Sequence, residues 1–471
     1  MSKQIIVTLP INSAMMRGTK VTMFVYNNCD KDARVLKEAA SLVNAGYNVK
    51  IFAVLDKQTI PYEVRDGIEI IRVLKNPLHY RLFKGDIKSI FSRTKLKPLS
   101  ELREEYGNKL VKEDNEDTQK LDQSEALSQK SASGLIKGFL RIFFRYTLKK
   151  PLMLVHKPLC FHDFYKKTKV YCLEEPSDIY HGHDLHTVPT AYKCAQPTNA
   201  KVVYDAHELY TEMSGLKKIE RKLYTRLERK YAPKVDQLIT VNQSIAEELI
   251  ERYNLTKAPK IIFNCPEVND KITLTDEDVL RERLKLSPST KIVLYQGGFA
   301  PNRGLQNLIK SAQYLTEGVI VFMGWGNLEN ELKELTQTLK LEDRVIFTPG
   351  VPQNELLNNS KSADVGVIPY QFVGLNNYYT SPNKLFEYIN ANVPIAGSDF
   401  PELKRVIGKY NIGVTFDPES PESIAESLNE VLANDKLRTS YKANTKQAAL
   451  DFRWENEEEK LLNIYNELIA S

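Results

Sequence analysis

The chain is poor in the features that would place it outside ordinary globular proteins. Its five cysteines, Cys29, Cys160, Cys172, Cys194 and Cys265, are scattered through 471 residues with no C-x-x-C pair, against both a disulfide framework and a thiolate zinc site. A reducing compartment fits that usage. No run of about 18 apolar residues occurs, so no membrane-spanning helix is expected. Lys3, Asn12 and Arg17 break up the N-terminal apolar residues where a secretory signal needs an unbroken stretch. The expectation is a cytoplasmic protein. Charge of one sign is also scarce: 65 Lys and Arg against 60 Asp and Glu leave +5, too little for a chain built to coat nucleic acid. No nucleic-acid partner is expected. What remains, 42% hydrophobic and 27% charged residues, suffices for real cores, and the length implies two large domains.

From Thr19 the residues TKVTMFVYNN read as a strand, Asp30 through Asn44 as a helix with Gly46 as its C-cap, and NVKIFAVL as a second strand. That is a βαβ opening. Further strands are expected near Ile179–His181, Lys201–Tyr204 and Gln237–Val241, giving a parallel sheet with crossover helices. After a polar stretch at 266–289, KIVLYQGG begins a second alternating series that continues through VIVFMGWG, RVIFTPG, ADVGVIPY and VPIAGSD. The expected domains are therefore 1–265, a linker at 266–289, a second doubly wound domain at 290–445, and a C-terminal helix within 446–471.

Residues 76–172 break the βα rhythm and read as an insertion. Its middle, Glu101 to Lys130, is polar and low in aromatics, as expected of a mobile loop. In Leu135–Lys150, Lys137, Arg141, Arg145 and Lys149 recur every four residues opposite Ile136, Phe139, Leu140, Phe143 and Phe144. Two readings stand: a basic amphipathic helix lying on an anionic membrane surface, or one packed on its own domain with a solvated basic face.

Four motifs bear on chemistry. His181, His183 and His186 in HGHDLH offer a zinc-like spacing, although His207 is the only histidine downstream to complete a hydrolase ligand set. The same residues may be read as caps for a following helix, with Asp184 as N-cap and Pro189 in the first turn. A third reading follows from parallel-sheet geometry, where ligands bind beyond the carboxyl ends of strands: His183, Asp184, His207 and Glu208 would share a cleft. In the second half, Gly297-Gly298-Phe299-Ala300-Pro301-Asn302-Arg303-Gly304 is a strand-turn-helix phosphate site, with Arg303 as a bidentate fork. Gly324-Trp325-Gly326 lacks the third glycine of a dinucleotide fingerprint, which disfavours a nicotinamide dehydrogenase. Finally, Thr380-Ser381-Pro382-Asn383-Lys384-Leu385-Phe386-Glu387 feeds a polar loop into a helix with Lys384 and Glu387 one turn apart. The pair reads either as an ordinary exposed ion pair or as a lysine for a diphosphate beside a carboxylate for ribose hydroxyls.

With these pieces in order, the chain resembles the retaining GT-B glycosyltransferases, the family 4-like group of bacterial polysaccharide and lipopolysaccharide enzymes. The landmarks are Asp32-Ala33-Arg34-Val35, His183-Asp184, Asp205-Ala206-His207-Glu208, Gly297-Gly298 with Arg303-Gly304, Gly324-Trp325-Gly326, and Ser381-Pro382-Asn383-Lys384 with Glu387. The resemblance implies an α/β fold of two doubly wound Rossmann-like domains facing a cleft, the first for acceptor, the second for nucleotide sugar, with a last helix crossing back to the first. It implies that His183, Arg303 and Lys384 are catalytic. Gly297, Gly298, Arg303, Gly324, Ser381, Asn383, Lys384 and Glu387 would bind donor, and Asp184, His207 and Glu208 would face the acceptor. No metal or other cofactor is implied. The donor would be a nucleotide sugar and the acceptor a glycan or lipid-linked glycan, and the expected location is cytoplasmic, or peripheral to the inner membrane face through Leu135–Lys150. The chain departs from the family at three positions. Tyr379 stands where the first glutamate of a two-glutamate motif is expected, Pro382 stands where a glycine N–H meets phosphate, and Gly298 replaces an arginine. The rivals are a zinc hydrolase built on His181, His183 and His186, and a non-catalytic nucleotide-sugar-binding protein.

Overall fold

A computed structural model describes residues 18–77, 79–80, 96–107, 156–267 and 277–471. The basic stretch Leu135–Lys150, most of the polar stretch after Glu101 and part of the 266–289 linker lie outside the described residues. The chain divides into two compact units, Met1–Asp205 and Ala206–Ser471.

In the first unit the sheet runs β1 (Lys20–Phe24), α1 (Ala33–Asn44), β2 (Asn48–Leu55), β3 (Tyr62–Arg65) and β4 (Ile68–Leu74), then α2 (His156–Glu174), β5 (Ile179–His183), α3 (Val188–Ala195) and β6 (Lys201–Ala206). The order β3-β4-β2-β1-β5-β6 is parallel apart from the β3–β4 pair. Helix α1 starts three residues later than expected from Asp30, because the Asp32 carboxylate accepts from Val35 N and caps it. Phe24, Phe52 and Tyr180, from neighbouring strands, stack at centroid distances of 5.7 and 6.2 Å, which pins the strand register through side-chain packing. The described parts of the insertion include helix α2 and a short helix at Leu99–Tyr106.

The second unit opens with α4 (Lys218–Tyr231), β7 (Gln237–Thr240), α5 (Gln243–Tyr253) and β8 (Lys260–Ile261), the strands pairing in parallel. It continues as β9 (Ile292–Gly298), α6 (Leu305–Ser311), β10 (Val319–Trp325), β11 (Val345–Thr348), β12 (Val365–Ile368), α7 (Asn383–Asn390), β13 (Ile395–Ser398), α8 (Pro401–Tyr410), β14 (Gly413–Phe416) and a last helix, α9 (Trp454–Ala470). The strand order β11-β10-β9-β12-β13-β14 makes a parallel sheet whose chain direction of travel reverses between β9 and β12. Its strands are buried on both faces, so they read as continuous apolar runs. Ile292 and Leu294 face one core, and Val293 and Tyr295 the other.

The division falls at residue 205 rather than in the expected linker at 266–289. Residues 206–265 are tied to later segments by specific bonds: Ser244 N donates to Glu402 at 2.7 Å, Leu209 N to the Asn376 side chain at 2.8 Å, and Phe263 N to Glu457 at 3.0 Å. The last of these holds α9 against the end of β8, beside Trp454 N bonded to Pro266 O.

Candidate donor site at the sheet reversal

Parallel sheets bind ligands where the strand order reverses, because there the loops leaving two adjacent strands turn to opposite faces and leave a crevice. In the second unit that place lies beyond the carboxyl ends of β9 and β12. A cavity of about 460 Å³ sits there, lined by Gln296 and Gly297 from the end of β9, by Tyr370 just after β12, and by Arg303, Ser381, Pro382, Asn383, Lys384 and Glu387. His207 and Glu208 also line it.

Each polar group has a structural cause. Gly297 has φ +114°, and Gly304 has φ +68° with a position for Cβ only 1.7 Å from Pro369 O, so only glycine lets this turn pass under the β12 exit. The turn delivers Arg303, whose guanidinium lies over the Tyr370 ring with Cζ 4.2 Å from its centroid. Pro382 precedes the first turn of α7 with extended backbone, and Ser381, Pro382 and Asn383 bring the helix N-terminus, with its partial positive charge, to the cavity wall. Lys384, in the first turn, is 7% exposed with Nζ 3.7 Å from the Tyr295 ring centroid. Burial, helped by the nearby Arg303 charge and opposed by Glu387, holds its ammonium well below the ordinary lysine range. An exposed i,i+3 pair is therefore excluded.

Glu387 is set by a chain of bonds that local sequence does not announce. The Gln296 amide donates to Glu387 Oε2 at 2.6 Å and accepts from Ser360 Oγ at 2.6 Å. Gln296 N donates to the Tyr388 hydroxyl, which donates in turn to Leu294 O at 2.7 Å. Asn242, fully buried, caps α5 through Oδ1 and donates through Nδ2 to Tyr379 O at 2.7 Å and Ser381 Oγ at 3.0 Å. Asn376 donates to Glu208 at 3.0 Å, and Asn264 to Asn383 at 3.1 Å. Gln296, Tyr370, Asn242 and Asn376 are not among the expected site residues; the one available signal is a polar residue just after a run of apolar ones at a strand's end, as in Gln296 and Asn242.

Two expected donor residues do not line the cavity. Gly298 ends β9 on the exposed side, and Gly324 is buried beside Gly297, where an added Cβ would stand 2.0 Å from Gly297 O. Gly324 thus lets two strands approach, and shapes the turn from behind.

His183 and Asp184 belong to the first unit, at the carboxyl end of β5. His183 is fully buried, with Nδ1 3.3 Å from Asp205, and its ring stacks on His181 at 4.2 Å. Arg34 donates to both Asp205 oxygens at 2.8 Å and lies 3.1 Å from Glu38, all three side chains 4% exposed or less. Glu38, His181, His183 and Asp205 cluster tightly enough to suggest a cation, and the guanidinium already supplies it. His186 is elsewhere, stacked on Phe161 at 5.4 Å, so the three histidines of the hydrolase reading do not converge. Asp184 has φ +60° and is not a helix cap; the residue before α3 is Thr187, whose hydroxyl donates to His183 O at 2.6 Å.

The family follows from comparison with known proteins. Residues 276–448 match the model of glycosyl transferases group 1, and residues 139–265 match that of glycosyltransferase family 4. The chain belongs to the group 1, family 4-like glycosyltransferases. An uncharacterized glycosyltransferase of Methanocaldococcus jannaschii is 25% identical over 61% of this chain and 75% of its own length. A putative colanic acid biosynthesis glycosyl transferase of Escherichia coli is 25% identical over 46% of this chain and 54% of its own. Among solved structures, this glycosyltransferase is similar to sucrose-phosphate synthase from Thermosynechococcus elongatus, with TM-score 0.68 and 16% identity over 96% of this chain and 99% of that one. It is also similar to Anabaena HepE solved with UDP, with TM-score 0.62 and 12% identity over 95% and 100%. These likenesses establish the GT-B fold of the glycosyltransferase, two parallel-sheet α/β domains.

Proposed function

We propose that the protein transfers a sugar, with retention of configuration, from a nucleoside diphosphate donor bound in the second-unit cavity to a glycan or lipid-linked glycan acceptor. The observation that carries this is the convergence of Arg303, Lys384, the Gly297 turn and the α7 N-terminus on one cavity that also holds a carboxylate, Glu387, bonded by Gln296. Diphosphate oxygens would be met by the guanidinium fork, the ammonium and backbone N–H groups, and ribose hydroxyls would donate to Glu387. Solved HepE with UDP supports a nucleotide of this kind.

As the glycosidic bond to phosphate breaks, negative charge grows on the departing diphosphate, where Arg303 and Lys384 stabilise it; the acceptor hydroxyl attacks from the same face and passes its proton to a leaving phosphate oxygen. The Arg303 guanidinium, the Lys384 amine once the diphosphate draws a proton onto it, and the helix terminus supply the charge this scheme requires. His183 enters only through its bond to Asp205, which would keep Nδ1 protonated and leave Nε2 the basic nitrogen. Polysaccharide or lipid-linked glycan is supported as the acceptor by the colanic acid relative and by a basic surface on α4. There Lys218, Arg221, Lys222, Arg226, Arg229 and Lys230 are exposed together with Ile219, 71% exposed, and Leu223. Among the described residues no helix is long and apolar enough to cross a membrane.

The test is donor hydrolysis and transfer measured across UDP-, GDP- and dTDP-sugars, with the anomer of the product read by NMR. Turnover with an inverted anomer rejects the retaining step, and binding without turnover on any acceptor supports a non-catalytic protein instead.

A further inference from the structure

A second chemical cluster lies in the first unit, made of residues outside the Arg34 cluster that holds His183. His156 and Cys160 sit four residues apart in the first turns of α2, hence on one helix face, and His79 comes from the segment that follows β4. His79 Nε2 is 2.8 Å from His156 Nδ1, Cys160 Sγ is 3.7 Å from that nitrogen, and the three donor atoms all lie within 4.8 Å of one another. His79 and Cys160 are 1% and 3% exposed, and His156 is half-buried. We propose that His79, His156 and Cys160 bind one zinc ion that clamps the start of the 76–172 insertion to its end.

The chemistry of the donors selects the ion. Two imidazoles and a thiolate suit a borderline-soft divalent cation and not calcium or magnesium, which take oxygen. Zinc bonds of about 2.05 Å to nitrogen and about 2.3 Å to sulfur put tetrahedral edges at about 3.3 Å between nitrogens and about 3.6 Å between nitrogen and sulfur. The observed 2.8 and 3.7 Å need shifts of about half an ångström, within the reach of two side-chain rotations. A thiol binds zinc only as the thiolate, so Zn²⁺ and the Cys160 thiol give a zinc thiolate and one released proton. Asp163, one turn beyond Cys160, accepts from Asn76 N at 3.0 Å and from Lys167 at 2.7 Å, tying the segment that carries His79 to α2 before any ion arrives. The ligands are 77 residues apart along the chain, from His79 to His156, so a single ion would close a long loop.

The experiment uses the full chain without an affinity tag. It is stripped with a chelator, then titrated with Co²⁺ as an optical probe and with Zn²⁺ in thermal melts, and bound zinc is counted in protein purified without chelator. One equivalent of Co²⁺ with tetrahedral d–d bands and a sulfur-to-metal charge-transfer band is expected, with proton release close to one and a higher melting temperature with Zn²⁺. Cys160→Ser should lose the charge-transfer band, and His79→Ala should lose stoichiometric binding. His181→Asn should leave both unchanged. No saturable Co²⁺ binding by the wild-type chain overturns the proposal, as does a thiolate band that survives in Cys160→Ser. Should either ligand variant fail to fold, the wild-type titration and its zinc-dependent melting shift decide alone.

Discussion

Lys384 offers the sharpest test of the donor site, because its burial makes two measurements move in opposite directions. In the free protein its amine is enclosed among Tyr295, Tyr370 and the Gly297 turn, and its pKa is depressed well below 10.5 by desolvation first and Arg303 second. Between that lowered value and 10.5 the unfolded chain binds the proton and the folded chain does not, so this group makes stability rise with pH across the window. A diphosphate brought against Nζ restores the charged form. Donor binding should therefore take up a proton, and affinity should fall by up to about tenfold per pH unit above the free-state pKa, since one unit corresponds to about 1.4 kcal/mol. Replacing the amine by Lys384→Met removes a charge-assisted hydrogen bond of about 1.5–3 kcal/mol, an affinity loss of about ten- to a hundredfold for UDP or the preferred nucleotide. The same substitution removes a buried polar group, so the melting temperature should hold or rise. Calorimetry in buffers of different ionisation enthalpy reads the proton uptake directly. Uptake that persists unchanged in Lys384→Met, or affinity indifferent to the substitution, refutes the placement of diphosphate at this amine.

Other positions give independent tests. Arg303→Ala should lower the rate of sugar transfer by about 10²–10³ at saturating donor, because its contact strengthens as charge builds on the leaving group; an unchanged kcat sinks that role. Gln296→Ala should raise KM for the donor about tenfold by releasing Glu387 from its 2.6 Å bond, with the fold intact by circular dichroism. Gly304→Ala puts a methyl 1.7 Å from Pro369 O at a positive φ, so a soluble, fully active variant would show that the turn is not under this constraint. Arg34→Met leaves Asp205 and Glu38 buried without their cation and should cost about 3–5 kcal/mol in urea unfolding; a loss below about 1 kcal/mol would mean the cluster is not ionic.

The alternation of strand and helix, the turn glycines and the Ser-Pro-Asn-Lys segment are legible in the sequence because they are local. Short continuous apolar runs, period-3.6 patterns, a proline before a helix and a glycine after a strand act within a few residues. That sufficed for the doubly wound halves, for Arg303 and for the helix bearing Lys384 and Glu387. Other features came from tertiary structure alone. Whether Lys384 was a solvated ion-pair member or a buried amine depended on Tyr295 and Tyr370, whose strands meet it only through the sheet order. Gln296 reaches Glu387 across 91 residues, and Asn242 reaches Ser381 across 139, separations no window of sequence can span. The three histidines of HGHDLH look equivalent in sequence, yet strand alternation and the left-handed Asp184 send His181 and His183 into the Arg34 cluster and His186 toward Phe161. Local patterning thus determined which elements exist; the order in which the strands pair decided which side chains share a cavity, because pairing brings together residues that are far apart in the chain.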